Sequence, residues 1–246
     1  MVQARCGHRS RVAGSLIWIV LAAAVCGKSA RAASVGGDVT LASTYIFRGL
    51  SLSDDWPAGQ LDLHVSTGTG TFVGAFASTL HNRHGGTPLE LQAYLGQRFN
   101  LSPTWSVTFT GVHYAYLNDG QAHSDDYQEL SAAVSYLDRF TLSVGGTPNI
   151  VRYWMGYRLG RYAAYVTDAT AQVPLWGPVL VTAGIGYYSL SGPAGMGYLY
   201  GNSGLAYERG RFRVDAGYFF TDSHAERLYP YGLARNRFAA SLSWHF

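Results

Sequence analysis

Residues 237–246 read Arg-Phe-Ala-Ala-Ser-Leu-Ser-Trp-His-Phe and alternate polar or small with apolar side chains to the last position. The apolar set is Phe238, Ala240, Leu242, Trp244 and Phe246. A period of two places these side chains on one face of a β-strand. The last residues of a soluble domain usually fray, so an aromatic ring that ends a patterned strand is unusual. The stretch predicts a strand whose apolar face is used along its whole length.

The opposite end of the chain has the pattern of a secretory signal peptide. A basic start, an apolar run and a small-x-small cleavage pattern follow in order: Arg5, Arg9 and Arg11, then Ser15 to Cys26, then Ala30-Arg31-Ala32-Ala33. A single transmembrane helix is the alternative, but the run is shorter than the roughly 20 residues that a span needs. A lipoprotein signal at Cys26 is disfavoured because Val25 precedes it. We expect residues 1–33 to be cleaved and residues 34–246 to form one domain.

Cleavage at that point changes the composition of the chain. Both cysteines, Cys6 and Cys26, leave, so no disulfide framework is expected in an exported protein. The remaining chain has 13 arginines and 15 acidic residues, so its net charge is slightly negative. The basic pI of the whole chain therefore gives no reason to expect nucleic acid as a partner. A mature length of about 213 residues suits one all-β domain. With 14% aromatic residues and 30 glycines, two classes stay open: a secreted β-sandwich and a membrane β-barrel.

Period-two alternation recurs along the mature chain, and the first predicted strand covers residues 38–49. Twelve strands fit best, with ten as the alternative, because residues 145–160 are poorly patterned. The connections between them alternate in length. The short ones are 67–70, 100–104, 137–139, 174–178 and 209–211, and the longer ones are 50–58, 82–88, 118–126, 147–160, 190–197 and 222–233. Short periplasmic turns and long external loops are typical of a closed antiparallel transmembrane β-barrel.

Apolar aromatic residues cluster beside the short turns and share the phase of the apolar faces. They are Phe72, Phe99, Trp105, Phe140, Phe212 and Phe246. Such a set predicts an aromatic girdle at one membrane interface, which favours the barrel over the sandwich. The strand that ends at Phe246 also resembles the last strand of bacterial outer-membrane barrels, which implies recognition by the barrel-insertion machinery. We therefore expect an all-β fold in the bacterial outer membrane, in contact with its lipids, with both termini periplasmic.

The first strand and the loop after it carry a family resemblance. Residues 43–54 read Ser-Thr-Tyr-Ile-Phe-Arg-Gly-Leu-Ser-Leu-Ser-Asp and are followed by Pro57-Ala58-Gly59-Gln60. This stretch resembles the opening of the TorF family of porin-like proteins, although the family often has Gln where Leu52 stands. The resemblance implies an outer-membrane barrel whose solute is largely unassigned. It supplies no catalytic residue.

If the apolar faces meet lipid, the polar faces line the lumen of the barrel. The predicted pore-lining residues are Arg48, Gln60, Asp62, His64, Glu90, Gln92, Arg98, Arg213, Asp215 and Arg237. Both signs of charge are present, which favours a water-filled pore with weak or mixed ion preference. The function predicted is passive diffusion of small hydrophilic solutes. A closed structural barrel, or one that binds or adheres through its loops, is the alternative.

Arg48 is the sharpest single candidate, because it lies near the external mouth and inside the family-like stretch. A guanidinium can constrict a pore or anchor a loop through bidentate contacts. Pairing with Asp54 or Asp55 is the structural alternative. Both interpretations stay open at the level of sequence.

Metal and catalytic chemistry are weakly indicated. His81 with His84, and His224 with Glu226, lack a third ligand, so we predict no metal and no cofactor. Ser189 and Ser223 are the candidate nucleophiles of an outer-membrane enzyme. Ser223 neighbours His224, but adjacent strand residues point to opposite faces. We therefore predict no enzymatic activity, and the oligomeric state is open.

Overall fold

The computed structural model describes residues 33–81, 88–117, 125–154, 157–229 and 231–246. The predicted signal peptide, residues 1–33, lies outside these ranges except for Ala33. Within the described ranges, no helix is long and apolar enough to cross a membrane.

The described chain is built almost wholly of antiparallel strands. They are β1 (Ser34–Ala42), β2 (Ile46–Phe47), β3 (Leu50–Ser51), β4 (Ala58–Ser66), β5 (Thr71–Thr79), β6 (Leu89–Asn100), β7 (Trp105–Leu117), β8 (Tyr127–Tyr136), β9 (Phe140–Trp154), β10 (Tyr157–Trp176), β11 (Val179–Leu190), β12 (Met196–Arg209), β13 (Phe212–Thr221) and β14 (Arg237–His245). Two short helices, α1 (Ser191–Ala194) and α2 (Ser223–Leu228), lie in the connections.

Twelve of the strands form one closed barrel, whereas β2 and β3 pair only with each other. The first and last strands join, with Asp38 opposite His245 and Ala42 opposite Ser241. Closure leaves no unpaired edge, which is what a sheet in hydrocarbon requires. The prediction of a closed twelve-stranded antiparallel barrel is confirmed.

The outer face of the barrel is apolar, and the inner face is polar. Leu130 and Phe238 on the outside are 72% and 82% exposed. Their neighbours Glu129 and Arg237 point inward and are buried. A soluble fold would bury the first pair and expose the second. The exposed apolar face instead matches a lipid-facing wall.

One end of the barrel carries the short turns, and we call it the short-turn end. Its turns occupy residues 67–70, 101–104, 137–139, 177–178 and 210–211. Both described chain ends lie there too, since Ser34 pairs with Ser66 and the Gly37 amide donates to the Phe246 carbonyl at 3.2 Å. The opposite end, with longer connections, is called the long-loop end.

The prediction of a loop over residues 147–160 is wrong. Strand β9 continues to Trp154, and β10 resumes at Tyr157. The register between them shifts twice, at residues 158–160 and 162–164. Each irregularity inserts an unpaired residue and breaks the period-two phase. The broken phase hid both strand ends from the pattern of the sequence.

Five of the six predicted girdle residues lie on the outer face near the short-turn end. Phe99, Trp105, Phe140, Phe212 and Phe246 are each between 41% and 56% exposed.

Phe72 does not belong to this ring, and that prediction is wrong. It pairs with Ser66 and Gly96, and its ring lies 6.3 Å from that of Tyr94, an inward-facing residue. In β5 the outer face is taken by small residues and Val73, so the phase of the aromatic residues is reversed in this strand.

The prediction that the first strand covers residues 38–49 is also wrong beyond Ala42, where β1 ends. The chain leaves the wall after β1 and forms a tight hairpin from β2 and β3, which we call the luminal hairpin (residues 44–53). Phe47 pairs with Leu50 across a two-residue turn, in which Arg48 has φ 50° and Gly49 has φ 80°. Positive φ at both positions is typical of a type I′ turn, the geometry that suits a two-residue hairpin.

Candidate functional site in the barrel lumen

The tip of the luminal hairpin reaches the opposite wall of the barrel. The Arg48 guanidinium donates to both carboxylate oxygens of Glu129 on β8, each at 2.7 Å. It also lies 4.5 Å from the ring centre of Tyr188 on β11 and 4.6 Å from that of Phe47. Both side chains of the ion pair are only 9% exposed. The hairpin therefore crosses the lumen and is held there by a buried ion pair, in which one guanidinium nitrogen, Nη2, donates to both carboxylate oxygens.

The predicted partners of Arg48, Asp54 and Asp55, are not the ones in the structure. Asp55 instead forms ion pairs with Arg235 and Arg237 at the start of β14. The Arg237 guanidinium also donates to the carbonyls of Gly232 and Leu233 at 2.7 and 2.8 Å. These contacts join the base of the hairpin to the connection between α2 and β14. The hairpin is thus held by ion pairs at both its tip and its base.

An aromatic core fills the lumen around the hairpin near the long-loop end. Leu50 packs in one buried cluster with Tyr188, Tyr198 and Tyr200 of the wall and with Ala225 of α2. On the other side of the hairpin, the Tyr45 hydroxyl donates to Glu90 at 3.0 Å. The Phe47 and Tyr114 rings lie 6.0 Å apart. This packing narrows the barrel at the level of the hairpin.

Between the hairpin and the short-turn end, the lumen widens and becomes polar. We call this region the short-turn half of the lumen. A cavity of about 340 Å³ opens below Thr44 and Tyr45, and its polar lining comes mainly from strands β4 and β10 to β14. The lining polar side chains are Gln60, Thr170, Gln172, Thr182, Asn202, Arg213, Asp215 and Ser241. Thr170 and Gln172 face this space and are exposed, so water reaches the wall there.

The nine predicted pore-lining residues that belong to wall strands all lie on the inner face. Gln60, Arg213 and Asp215 line the cavity below the hairpin. Asp62, His64 and Arg98 line a second one nearer the short turns. The remaining three lie nearer the long-loop end: Glu90, Gln92 and Arg237. Gln92 donates to Glu90 at 2.6 Å, and Glu90 is completely buried. Arg48, the tenth, lies on the hairpin rather than on the wall. The structure thus shows that these residues face the lumen, and their role in conduction belongs to the proposed function below.

Several luminal residues were missed by the sequence analysis. Glu129 precedes the outward Leu130, so its inward phase was available from the alternation. Asp168 lies in β10, beyond the poorly patterned residues 145–160. Tyr200 donates a hydrogen bond to Asp168, and His245 pairs with Asp38. Residue spacing carries no signal for contacts between strands so far apart in the chain.

Those candidate metal and catalytic residues that the structure describes are not assembled into a site. Within the described ranges, no group of three or more His, Cys, Asp or Glu side chains could hold a metal. The His81 ring packs 4.9 Å from that of Trp56, and His84 lies outside the described residues. Ser223 and His224 lie on α2 rather than on a strand. Ser189 Oγ lies 3.2 Å from Ser191 Oγ.

Two solved porin structures have a similar fold. The KdgM porin in complex with disordered oligogalacturonate superposes with a TM-score of 0.55 at 6% identity, covering 87% of this chain and 99% of that one. A second structure, of the KdgM porin, gives a TM-score of 0.54 at 8% identity and covers 86% of this chain and 99% of that one. At these identities the likeness extends to the fold alone.

The sequence comparisons are narrower. A search of curated protein sequences finds no relative. One family model, described as a bacterial protein of unknown function (Gcw_chp), matches residues 27–242. That description does not carry the TorF name, so the TorF resemblance stays a prediction. Because the match spans most of the chain, the protein belongs to the Gcw_chp family.

Proposed function

We propose that the protein is a bacterial outer-membrane channel for passive diffusion of small hydrophilic solutes, narrowed at the level of the luminal hairpin. The observation that carries this proposal is the polar, open short-turn half of the lumen inside a closed barrel with an apolar outer wall. A purely structural barrel has no need for a water-accessible interior. Diameter grows roughly linearly with strand number, so twelve strands leave room for small solutes only.

The proposed location places the outer wall among outer-membrane lipids and the short-turn end in the periplasm. Short periplasmic turns and longer external loops are the usual arrangement of such barrels. Strand β14, which closes the barrel against β1, is the segment proposed to meet the insertion machinery. No enzymatic activity and no cofactor are part of the proposal.

Single-channel recording in a planar lipid bilayer tests the proposed function. The purified full chain should first show heat-modifiable migration on a gel, which reports a closed barrel. We expect discrete conductance steps that are small, because the hairpin occupies much of the cross-section. Protein that migrates as a closed barrel yet gives no steps would overturn the channel and favour a plugged barrel.

The plugged barrel is the second candidate, and the buried aromatic core around Leu50 favours it. A chain in which residues 44–53 are replaced by a short Gly-Ser linker separates the two. If the native protein is a channel, the replacement enlarges its conductance. If the native protein is plugged, steps appear only after the replacement.

Thiol labelling of whole cells tests the orientation. Because both cysteines fall in the predicted signal peptide, single-cysteine variants are simple to make. Arg211→Cys lies in a short turn and Ser223→Cys on α2, and both positions are exposed. A membrane-impermeant maleimide should label only S223C. Labelling of R211C alone would reverse the proposed orientation.

A further inference from the structure

The charges of the short-turn half of the lumen are unequal. The described wall residues that face this space include two arginines and five carboxylates. The arginines are Arg98 and Arg213, and the carboxylates are Asp38, Asp62, Asp168, Glu208 and Asp215. Glu90 and Glu129 are excluded because both are buried around the hairpin. The imbalance lies on the part of the lumen that water reaches.

Both arginines are neutralised by carboxylates next to them. Arg213 donates to both oxygens of Asp215 at 2.8 Å and to Glu208 at 3.1 Å, so one cation lies between two anions. Arg98 lies 2.6 Å from Asp138 in a short turn. Neither guanidinium is left to balance a carboxylate elsewhere in the lumen.

Among the residues that the structure describes, the other three carboxylates have no arginine partner. Asp62 accepts hydrogen bonds from the Tyr94 hydroxyl at 2.8 and 2.9 Å and pairs with His64 at 2.9 Å. Asp38 pairs with His245, and Asp168 accepts from the Tyr200 hydroxyl. Tyrosine hydroxyls orient a carboxylate and leave its charge in place. A neutral imidazole that donates its ring N–H to a carboxylate likewise leaves the charge of that carboxylate in place.

Asp38 and Asp62 lie directly opposite each other on β1 and β4. Both line the same cavity of about 380 Å³, together with neutral residues such as Gln60. The paired Arg213 and Asp215 and the His245 ring border this cavity as well. Their side chains are 35% and 23% exposed, so a passing ion can approach them. Rings of acidic side chains are a common source of cation selectivity in channels.

We propose that the channel selects cations over anions, and that Asp38 and Asp62 are its main specificity-determining residues. This inference rests on the proposed channel function and adds the sign of the charge that the lumen favours. It replaces the weak or mixed preference expected from the sequence, because the arginines that suggested balance are already paired.

Reversal potentials across a bilayer in a KCl gradient at pH 8 test the inference. We expect the wild-type permeability ratio of potassium to chloride to exceed one. The double variant Asp38→Asn/Asp62→Asn should lower that ratio on the order of fivefold or more, because each removed charge lies within a few ångströms of the ion path, where it attracts a cation and repels an anion. High salt should weaken the preference through screening.

The matched control is Glu226→Gln, which removes one negative charge from the exposed surface of α2 and should leave the ratio unchanged. If the double variant fails to give heat-modifiable protein, Asp168→Asn is the second test and should lower the ratio in the same direction. A wild-type ratio of one or less, or a ratio that the aspartate variants leave unchanged, would overturn the selectivity but not the channel. Complete absence of conductance in folded protein would instead reject the channel itself, and the selectivity with it.

Discussion

Arg48 combines a left-handed backbone conformation, an ion pair in which one nitrogen donates to both oxygens of Glu129, and burial between two aromatic rings. Two of these features cost free energy: non-glycine residues with positive φ are uncommon, and a buried ion pair must offset the desolvation of both charges. The contacts of the guanidinium with the rings of Phe47 and Tyr188 are favourable. Both costs arise at the point where the hairpin reaches β8. Such a combination fits a side chain that fixes the position of a constriction.

Arg48→Ala should therefore both loosen the hairpin and destabilise the barrel. Removing one partner of a buried pair leaves Glu129 uncompensated, at a cost of about 3–5 kcal/mol. We expect a larger single-channel conductance and a lower urea midpoint of unfolding. Arg227→Ala, on the exposed surface of α2, serves as the control and should change neither quantity. Conductance equal to that of the wild type would contradict the role of Arg48 in the constriction.

At the scale of elements, the luminal hairpin depends on its turn. Gly49 has φ 80°, and a Cβ atom there would lie 2.5 Å from Thr221 Cγ2 and 2.8 Å from Tyr200 Cβ. Glycine is needed for two separate reasons, the backbone conformation and the close approach to the wall. Gly210, in the short turn between β12 and β13, has φ 64° but no atom within 4 Å of the corresponding position.

This difference allows a matched pair of substitutions. Gly210→Ala should cost only the conformational penalty of a left-handed residue, about 1–2 kcal/mol. Gly49→Ala carries the same penalty and a steric clash, so it should destabilise the protein more and increase conductance by displacing the hairpin. Urea unfolding and single-channel recording measure the two effects. Equal effects of both variants on stability would show that the hairpin does not pack against Tyr200 and Thr221.

Helix α2 begins at a capping residue that lies outside the barrel strands. Asp222 accepts hydrogen bonds from the backbone amides of His224 and Ala225, and from Leu199 of β12. Partial burial raises the pKa of Asp222, but these three donors outweigh it and hold the pKa below its usual range. A lowered pKa means that the charged form stabilises the folded helix.

Asp222→Ala should destabilise α2 by about 1 kcal/mol at pH 7. Because the folded pKa lies below the unfolded value of about 3.9, the contribution of the carboxylate is complete above that value and is lost as the pH falls through the folded pKa. Hydrogen exchange of the α2 amides should therefore differ between wild type and variant at pH 7 and converge at strongly acidic pH. A difference that persists unchanged there would contradict the pKa shift.

At the scale of the whole molecule, membrane residence makes the two faces of one strand unequal. Val144 and Ser143 are neighbours on β9, four and three residues from the girdle residue Phe140. Val144 is 54% exposed on the outer wall, whereas Ser143 faces inward and pairs in register with Asp168. At about 3.3 Å per residue, this places Val144 near the middle of an apolar band roughly 25 Å tall.

Arginine substitutions at these two positions should have opposite outcomes. Val144→Arg should cost about 2–4 kcal/mol in a membrane-embedded barrel and reduce the yield of heat-modifiable protein. Ser143→Arg should be tolerated, since its guanidinium would face water and Asp168. Folding yields into lipid vesicles measure the difference. A fold that tolerated V144R better than S143R would not be a lipid-facing barrel.

Much of the architecture could be predicted from local patterns. Alternation, turn composition and aromatic residues beside the short turns predicted twelve strands, closure and the unequal connections, because each depends on neighbours within one strand or turn. Phe72 shows where this fails: in β5 the aromatic residues occupy the inward phase, and alternation cannot by itself say which face is outer. The β9–β10 extension was missed because its irregular register breaks the period.

The sequence by itself determined the class of the protein, its period-two wall and the inner face on which Gln60, Asp62 and Arg213 lie, because strand geometry sets which side chains share a face. Only the tertiary structure decided that residues 44–53 leave the wall. Tyr45 and Phe47 alternate as a continuing strand would, and nothing local distinguishes the two. The hairpin turns inward because Arg48 finds Glu129 and Asp55 finds Arg237, partners that become neighbours only after the barrel closes. The charge balance in the lumen also depends on the tertiary structure, because it is set by which charged side chains pair across strands.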